Sequence, residues 1–169
     1  LYEGARKNGK PRILFASSNH AIGFHKRTTK LDDKSELRPG SLYGVTKCYG
    51  DAVASYYFDK YDVETVSLRI RSCSDNPRAR RFLSTWMSQR DFISLMKAVF
   101  DAPMTGQLGM YGVSNNRTKW WSNDHAELIG WQPLDSSEIF RAEIEAAFPV
   151  EDRHDPAVIY QGGGFAAKG

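Results

Sequence analysis

The apolar run at residues 12–17, RILFAS, carries no alternation of polar and apolar positions, and a second run at 64–70, ETVSLRI, follows it after a long connection. A short continuous apolar run suits a strand buried on both faces of a parallel sheet. Between the two, residues 19–40 are polar and aperiodic, a loop over the carboxyl end of the first strand. Ser41 can then cap a helix through YGVTKCYGDAVASYYFDKY, in which Val45, Tyr49, Val53 and Tyr56 recur at helical spacing. Strand, crossover with helix, strand is the grammar of a parallel α/β sheet, whose ligands sit at the carboxyl ends of the strands. Ser18 and Ser72 fall at those ends.

The flanking segments extend this plan. Residues 1–9 read as the last turns of a helix stopped by Gly9. After Ile70 comes an Arg- and Asn-containing loop, then a helix over DFISLMKAVFDA that buries Phe92, Leu95, Met96 and Val99. A strand is expected at GQLGMYGV, a short helix from Ser122 through HAELIG, and a last amphipathic helix over SSEIFRAEIEAAF. The tail, 149–169, is Gly-rich and expected to be extended, and no internal repeat appears.

Composition narrows the partners. With 169 residues, 41% hydrophobic and 25% charged, the chain can bury one core. Its net charge of +3 comes from 23 basic and 20 acidic residues spread along the sequence, which argues against nucleic acid. The densest cationic stretch, Arg78, Arg80 and Arg81, reads as a solvated loop from which one arginine can hold an anionic substrate. No apolar run approaches the roughly 18 residues of a membrane span, and the first ten residues lack a signal peptide's apolar region. Cys48 and Cys73 have no metal or disulfide spacing and are expected as buried, reduced thiols in a cytoplasmic protein. His125 and His154 lack partners for a metal, so none is expected. Trp86, Trp120, Trp121 and Trp131 read as core.

The residues that carry chemistry are Tyr43 and Lys47, one helical turn apart and on one face. A phenol is a poor base at neutral pH, and a cation beside it favours the phenolate. Taken alone the Tyr-x-x-x-Lys pair is a weak signal. It gains weight because it follows a strand ending in Ser17-Ser18, whose hydroxyl can hold the oxygen that Tyr43 deprotonates.

LFASSNHAIG followed by SLYGVTKCYGD and VSLRI resembles the extended short-chain dehydrogenase/reductase family, which includes NAD-dependent epimerases and dehydratases. The runs SSNH, LYGVTKCYG, LSTWMS, DHAELIGWQP and QGGGF look closest to its uronate dehydrogenases, over essentially the whole chain. The resemblance implies the back half of a Rossmann-like doubly wound parallel sheet, with a small C-terminal α/β substrate-binding part. Residues 1–75 would carry the catalytic set and 76–169 the substrate side. It implies NAD as cofactor, Ser18, Tyr43 and Lys47 as catalytic residues, and oxidation of galacturonate or glucuronate at C1 to an aldarolactone. Lys47 would also bind the nicotinamide ribose, with Tyr43, Ile70, Ser72 and Cys73 lining the nicotinamide pocket. Arg81 would hold the substrate carboxylate, helped by Ser72, Asn19 and His20, with Phe165 near the mouth.

The alternatives within this reading are a nucleotide-sugar epimerase or dehydratase with the same residues, or an inactive piece. The Gly-rich phosphate turn of such folds is missing: Gly106, Gly109 and Gly112 have its spacing but follow a helix and open none. A preceding N-terminal half is therefore expected as partner, and a homo-oligomer by family habit. Arg71 stands where relatives are small, next to the expected nicotinamide.

Overall fold

The computed structural model describes residues 1–124 and 126–167. The elements in chain order are α1 (Tyr2–Lys7), β1 (Ile13–Ser18), α2 (Leu42–Tyr61), β2 (Thr65–Ile70), β3 (Ser72–Cys73), α3 (Phe82–Thr85), β4 (Trp86–Met87), α4 (Gln89–Asp101), β5 (Gln107–Gly112), α5 (Arg141–Ala147), α6 (Pro156–Ile159) and α7 (Gly164–Ala167). Strands β1, β2 and β5 form one parallel sheet in that spatial order, with Ile13 opposite Thr65 and Thr65 opposite Gln107. The fold is α/β with a Rossmann-like parallel sheet. A separate parallel pair, β3 with β4, turns the chain out of the sheet beyond Ile70. Strand β5, beyond residue 75, belongs to the same sheet as β1 and β2.

The main core lies between the sheet and α4, where Val66, Leu68, Leu108 and Met110 meet Leu95 and Val99. Within α4, Phe92 packs part-buried beside them. Ser88 caps α4, and the buried Asp91 carboxylate accepts from Ser114 Oγ at 2.6 Å and from the backbone of Leu134 and Asp135. That carboxylate fixes the turn following Trp131 against the helix. All four tryptophans are buried. Tyr111 stacks on Trp121 with ring centroids 5.1 Å apart.

Helix α2 departs from the expectation of a bulky buried face. Its buried residues are Gly44, Asp51 and Ala54, while Val45, Tyr49 and Tyr56 point outward. The reason is close approach: a Cβ on Gly50 would stand 2.2 Å from the Phe15 ring, so the face against the sheet is built from small residues. Strand β1 is less covered than its composition suggests, with Ala16 exposed, because it pairs only with β2 among the described residues. The cysteines are also less buried than expected: Cys48 is half-buried with its thiol toward the Ala21 carbonyl, and Cys73 is exposed.

The tail is not extended, since α6 and α7 form short turns of helix in it. Instead of one helix over SSEIFRAEIEAAF, a 3-10 turn (Ser137–Phe140) leads into α5. A 3-10 turn at Ala126–Ile129 stands where the helix from Ser122 was expected. No helix among the described residues is long and apolar enough to cross a membrane. No group of three His, Cys, Asp or Glu among them is placed to hold a metal. His154 is exposed, and His125 lies outside the described residues.

The contact joining α2 to the sheet is an ion pair. Arg69, on β2, meets Asp51 at 3.3 Å with both side chains 7% exposed, and its guanidinium also lies 5.6 Å from the Tyr111 ring centroid. Removing one partner of such a pair leaves the other charge buried and uncompensated, at a cost of about 3–5 kcal/mol. Urea unfolding of the full-length protein carrying Asp51→Ala is expected to show a loss of that size. A change below about 1 kcal/mol would mean that Tyr111 alone satisfies Arg69.

Candidate active site

Strand β1 delivers Ser18 to the carboxyl edge of the sheet. There its Oγ accepts from the His20 N–H at 3.2 Å and starts a 3-10 turn, Asn19–Ile22. Helix α2 begins against that turn: Ser41 Oγ accepts from Gly44 N–H at 3.1 Å, and Gly40 N–H donates to the His20 carbonyl at 3.1 Å. The approach tolerates no side chain at residue 44, where a Cβ would fall 2.2 Å from the His20 oxygen. The glycine after Tyr43 is thus what brings the phenol beside the strand end. Tyr43 meets His20 edge-on, with centroids 5.7 Å apart. One turn along, Lys47 Nζ lies 5.2 Å from the Tyr43 ring centroid and donates to the Ala16 carbonyl at 2.7 Å. That bond fixes the ammonium under the phenol.

Ser18, His20, Tyr43, Ile70, Arg71 and Phe165 line one cleft of about 550 Å³, together with Ser17 and Asn19. Ser18 Oγ accepts one hydrogen bond, which leaves its own hydrogen for a ligand oxygen. Tyr43, 46% exposed, can reach the same oxygen. A proton donor or acceptor and a hydroxyl on one carbon-bound oxygen suit oxidation or reduction at that carbon. A nicotinamide ribose fits next to them on two observations: Lys47 presents its ammonium beside Tyr43, and Ser72 Oγ is buried without a partner just beyond Ile70. Cys73 follows on β3.

The far wall comes from the tail, and Gln161 holds it. This residue is fully buried, and every polar group it has is used. Its N–H donates to the His25 carbonyl and its Nε2 to the carbonyls of Lys26 and Thr29. Its Oε1 accepts from Trp121 Nε1 at 2.7 Å, and its carbonyl accepts from Asn19 Nδ2 and Arg81. Arg81 further donates to the carbonyls of Ala157 and Tyr160, and the glycine run wraps it so closely that a Cβ on Gly163 would fall 2.1 Å from its Nη1. Two residues expected at the substrate, Asn19 and Arg81, therefore meet on one tail carbonyl. The tail then stacks Phe165 on His20 at 4.4 Å, with the rings 25° apart.

Three cationic or imidazole groups crowd this wall. Burial, followed by the positive charges of Arg71 and Arg81, holds His20 down to about 4, so its ring is neutral at physiological pH. Burial likewise lowers Arg81 to about 9 and Arg71 to about 10. Arg71 enters the cleft directly. The sequence marked it only as an unexpected arginine, and Gln161 carried no signal beyond its place before the glycine run.

Residues 1–97 match the model of the NAD dependent epimerase/dehydratase family. A uronate dehydrogenase of Pseudomonas putida is 49% identical over 169 residues, the whole of this chain and 63% of that protein. A glucuronic acid dehydrogenase structure from Chromohalobacter salexigens superposes with a TM-score of 0.97 at 53% identity, covering all of this chain and 64% of that one. A uronate dehydrogenase variant from Agrobacterium tumefaciens, solved with NAD, gives 0.96 at 46% identity, again over 64% of its length. The chain thus spans less than two thirds of the proteins it resembles.

The buried imidazole makes stability depend on pH with a defined sign. Between pH 6.5 and about 4 the unfolded chain binds a proton at His20 that the folded chain refuses. Stability must therefore fall as pH drops through that window and level off beneath it. Thermal unfolding from pH 7 to 4 is expected to show this fall, and His20→Gln should flatten it. An unchanged slope in the variant would assign the effect to other groups.

Proposed function

Because this chain belongs to the NAD dependent epimerase/dehydratase family, we propose that the protein it forms part of is a cytoplasmic, NAD-dependent enzyme that oxidises galacturonate or glucuronate at C1 to an aldarolactone. The observation that carries the reading is the meeting of Ser18 and Tyr43 in one cleft, with Lys47 fixed beneath the phenol. The names of the relatives at 46–53% identity point to the same substrate class.

The chemistry assigns each residue one task. Tyr43 Oη takes the proton of the anomeric hydroxyl, and Ser18 Oγ donates to that oxygen and holds it in register. Lys47, held beneath the phenol by the Ala16 carbonyl, binds the ribose hydroxyls. NAD, when bound, accepts the hydride that leaves C1. The ring oxygen is already attached to that carbon, so the product is a lactone without added water. Ile70, Ser72 and Cys73 border the nicotinamide, and the neutral His20 hydrogen-bonds a sugar hydroxyl. Arg81, helped by Asn19 and Ser72, holds the substrate carboxylate, with Phe165 at the mouth.

The partners follow from the same reading. The preceding half of the fold, with its Gly-rich turn, supplies the pyrophosphate site and pairs with β1 on the edge opposite β2. The outward Val45, Tyr49 and Tyr56 of α2 offer an apolar face to a second copy in a homo-oligomer.

Assay of the full-length protein with NAD and each uronate tests the reading, and no NADH from either would sink it. Tyr43→Phe is expected to lower kcat by roughly 10²–10⁴-fold with an unchanged melting temperature, since it removes one exposed hydroxyl.

A further inference from the structure

A cavity of about 560 Å³ beside the tail shares no lining residue with the catalytic cleft. Its size falls within the roughly 300–1,000 Å³ of small-molecule sites. Five cationic and two acidic side chains line it. Both acids are already matched, since Glu151 pairs with Arg27 at 2.6 Å and Glu145 with Arg141 at 2.9 Å. Three cations are left over. Arg80 donates to the backbone carbonyls of Glu145 and Phe148, at 2.6 and 2.8 Å, which are dipoles and not counter-charges. Arg153 donates to His154 Nε2, and neither it nor Lys26 forms an ion pair with another described residue.

Cations gathered round one concavity repel each other and concentrate anions from solvent, which relieve that repulsion. A lone carboxylate would leave this excess incompletely met. A phosphoryl group carries up to two negative charges on three oxygens, which can accept from a lysine and from two guanidinium forks in separate directions. Ser84 and Thr118 add to the polar side: their hydroxyls meet at 3.0 Å, and one of the two keeps a hydrogen to donate. The other side of the cavity is apolar, formed by Leu83, Val150, Val158 and Ile159. A free inorganic ion would leave those side chains facing water, whereas a carbon body attached to the phosphoryl group covers them.

We propose that this cavity binds a small phosphate monoester, its phosphoryl group held by Lys26, Arg80 and Arg153 and its carbon part laid on the four apolar side chains. The site adjoins the catalytic cleft through α6, which lends Val158 and Ile159 to the cavity and the Ala157 carbonyl to Arg81. An occupant therefore braces the turn that Arg81 grips, and it stabilises the folded chain by mass action.

The test uses the full-length protein saturated with NAD, so that its dinucleotide site is filled, with phenyl phosphate as the probe and inorganic phosphate as the head group alone. Calorimetry is expected to show phenyl phosphate binding more tightly than inorganic phosphate, and the melting temperature should rise with phenyl phosphate concentration. Lys26 and Arg153 are both exposed, so Lys26→Gln combined with Arg153→Gln should melt like wild type without ligand. The same double variant is expected to weaken phenyl phosphate binding by roughly 10- to 100-fold, the size of two lost charge-assisted contacts at an open site. Val150→Ser, at a residue 84% exposed, should narrow the gap between the two probes by roughly three-fold. No binding of phenyl phosphate to the wild type, or undiminished binding in the double variant, would overturn the proposal. Equal affinity for the two probes would reject the apolar contact and with it the monoester.

Discussion

Everything on the open side of the cleft depends on one buried amide. Gln161 comes from the tail, yet its side chain and backbone satisfy groups on the 19–29 segment, on Trp121 and on Arg81. A buried amide with all its donors and acceptors matched rigidifies what it joins, and one left partly matched would carry a penalty of about 1–3 kcal/mol for each orphaned group. The strand end, the arginine loop and the tail are therefore locked to one another before any ligand arrives. Phe165 lies on His20 because the chain leading to it has no freedom to go elsewhere.

The sheet side of the site was legible in the sequence because its determinants are local. Ser41 as cap, Tyr43 and Lys47 one turn apart, and Ser18 at the end of an apolar run are each readable within a few residues, and the relatives support the family they suggest. The remainder depends on contacts between residues far apart in the chain. Arg81 reaches the tail across 76 to 80 positions and Asn19 reaches it across 142, so a carbonyl as their partner could not be seen from either neighbourhood. The outward stripe of α2 misled for a related reason: periodicity reports that a helix has a face, but the Gly50 contact with Phe15 decides which face lies on the sheet.

The two arginines near the cleft, Arg81 buried and Arg71 half-buried, show how like residues acquire unlike surroundings. Arg81 is solvated by backbone carbonyls, which lets it sit in the interior. Arg71 has only an aromatic face beneath it, which orients the plane and leaves the donors unspent. Burial, and after it both charges, keep His20 neutral and able to serve as donor and acceptor at once. Glycine has a parallel double use: at 44 it admits a carbonyl beside Tyr43, and at 163 it admits a guanidinium.

Because the tail pairs with the 23–27 segment through Arg27 to Ile159, Gln161 to His25 and Gly162 to Gly23, the cleft closes a loop of more than 130 residues. Contacts of such separation form late, since the entropy of closing the loop must be met before they stabilise anything. During synthesis the serine, tyrosine and lysine leave the ribosome long before the segment that walls them in. A nascent chain can thus hold Ser18, Tyr43 and Lys47 in place while lacking the far wall of their cleft. The cleft is completed in one late step, when residues 159–165 dock.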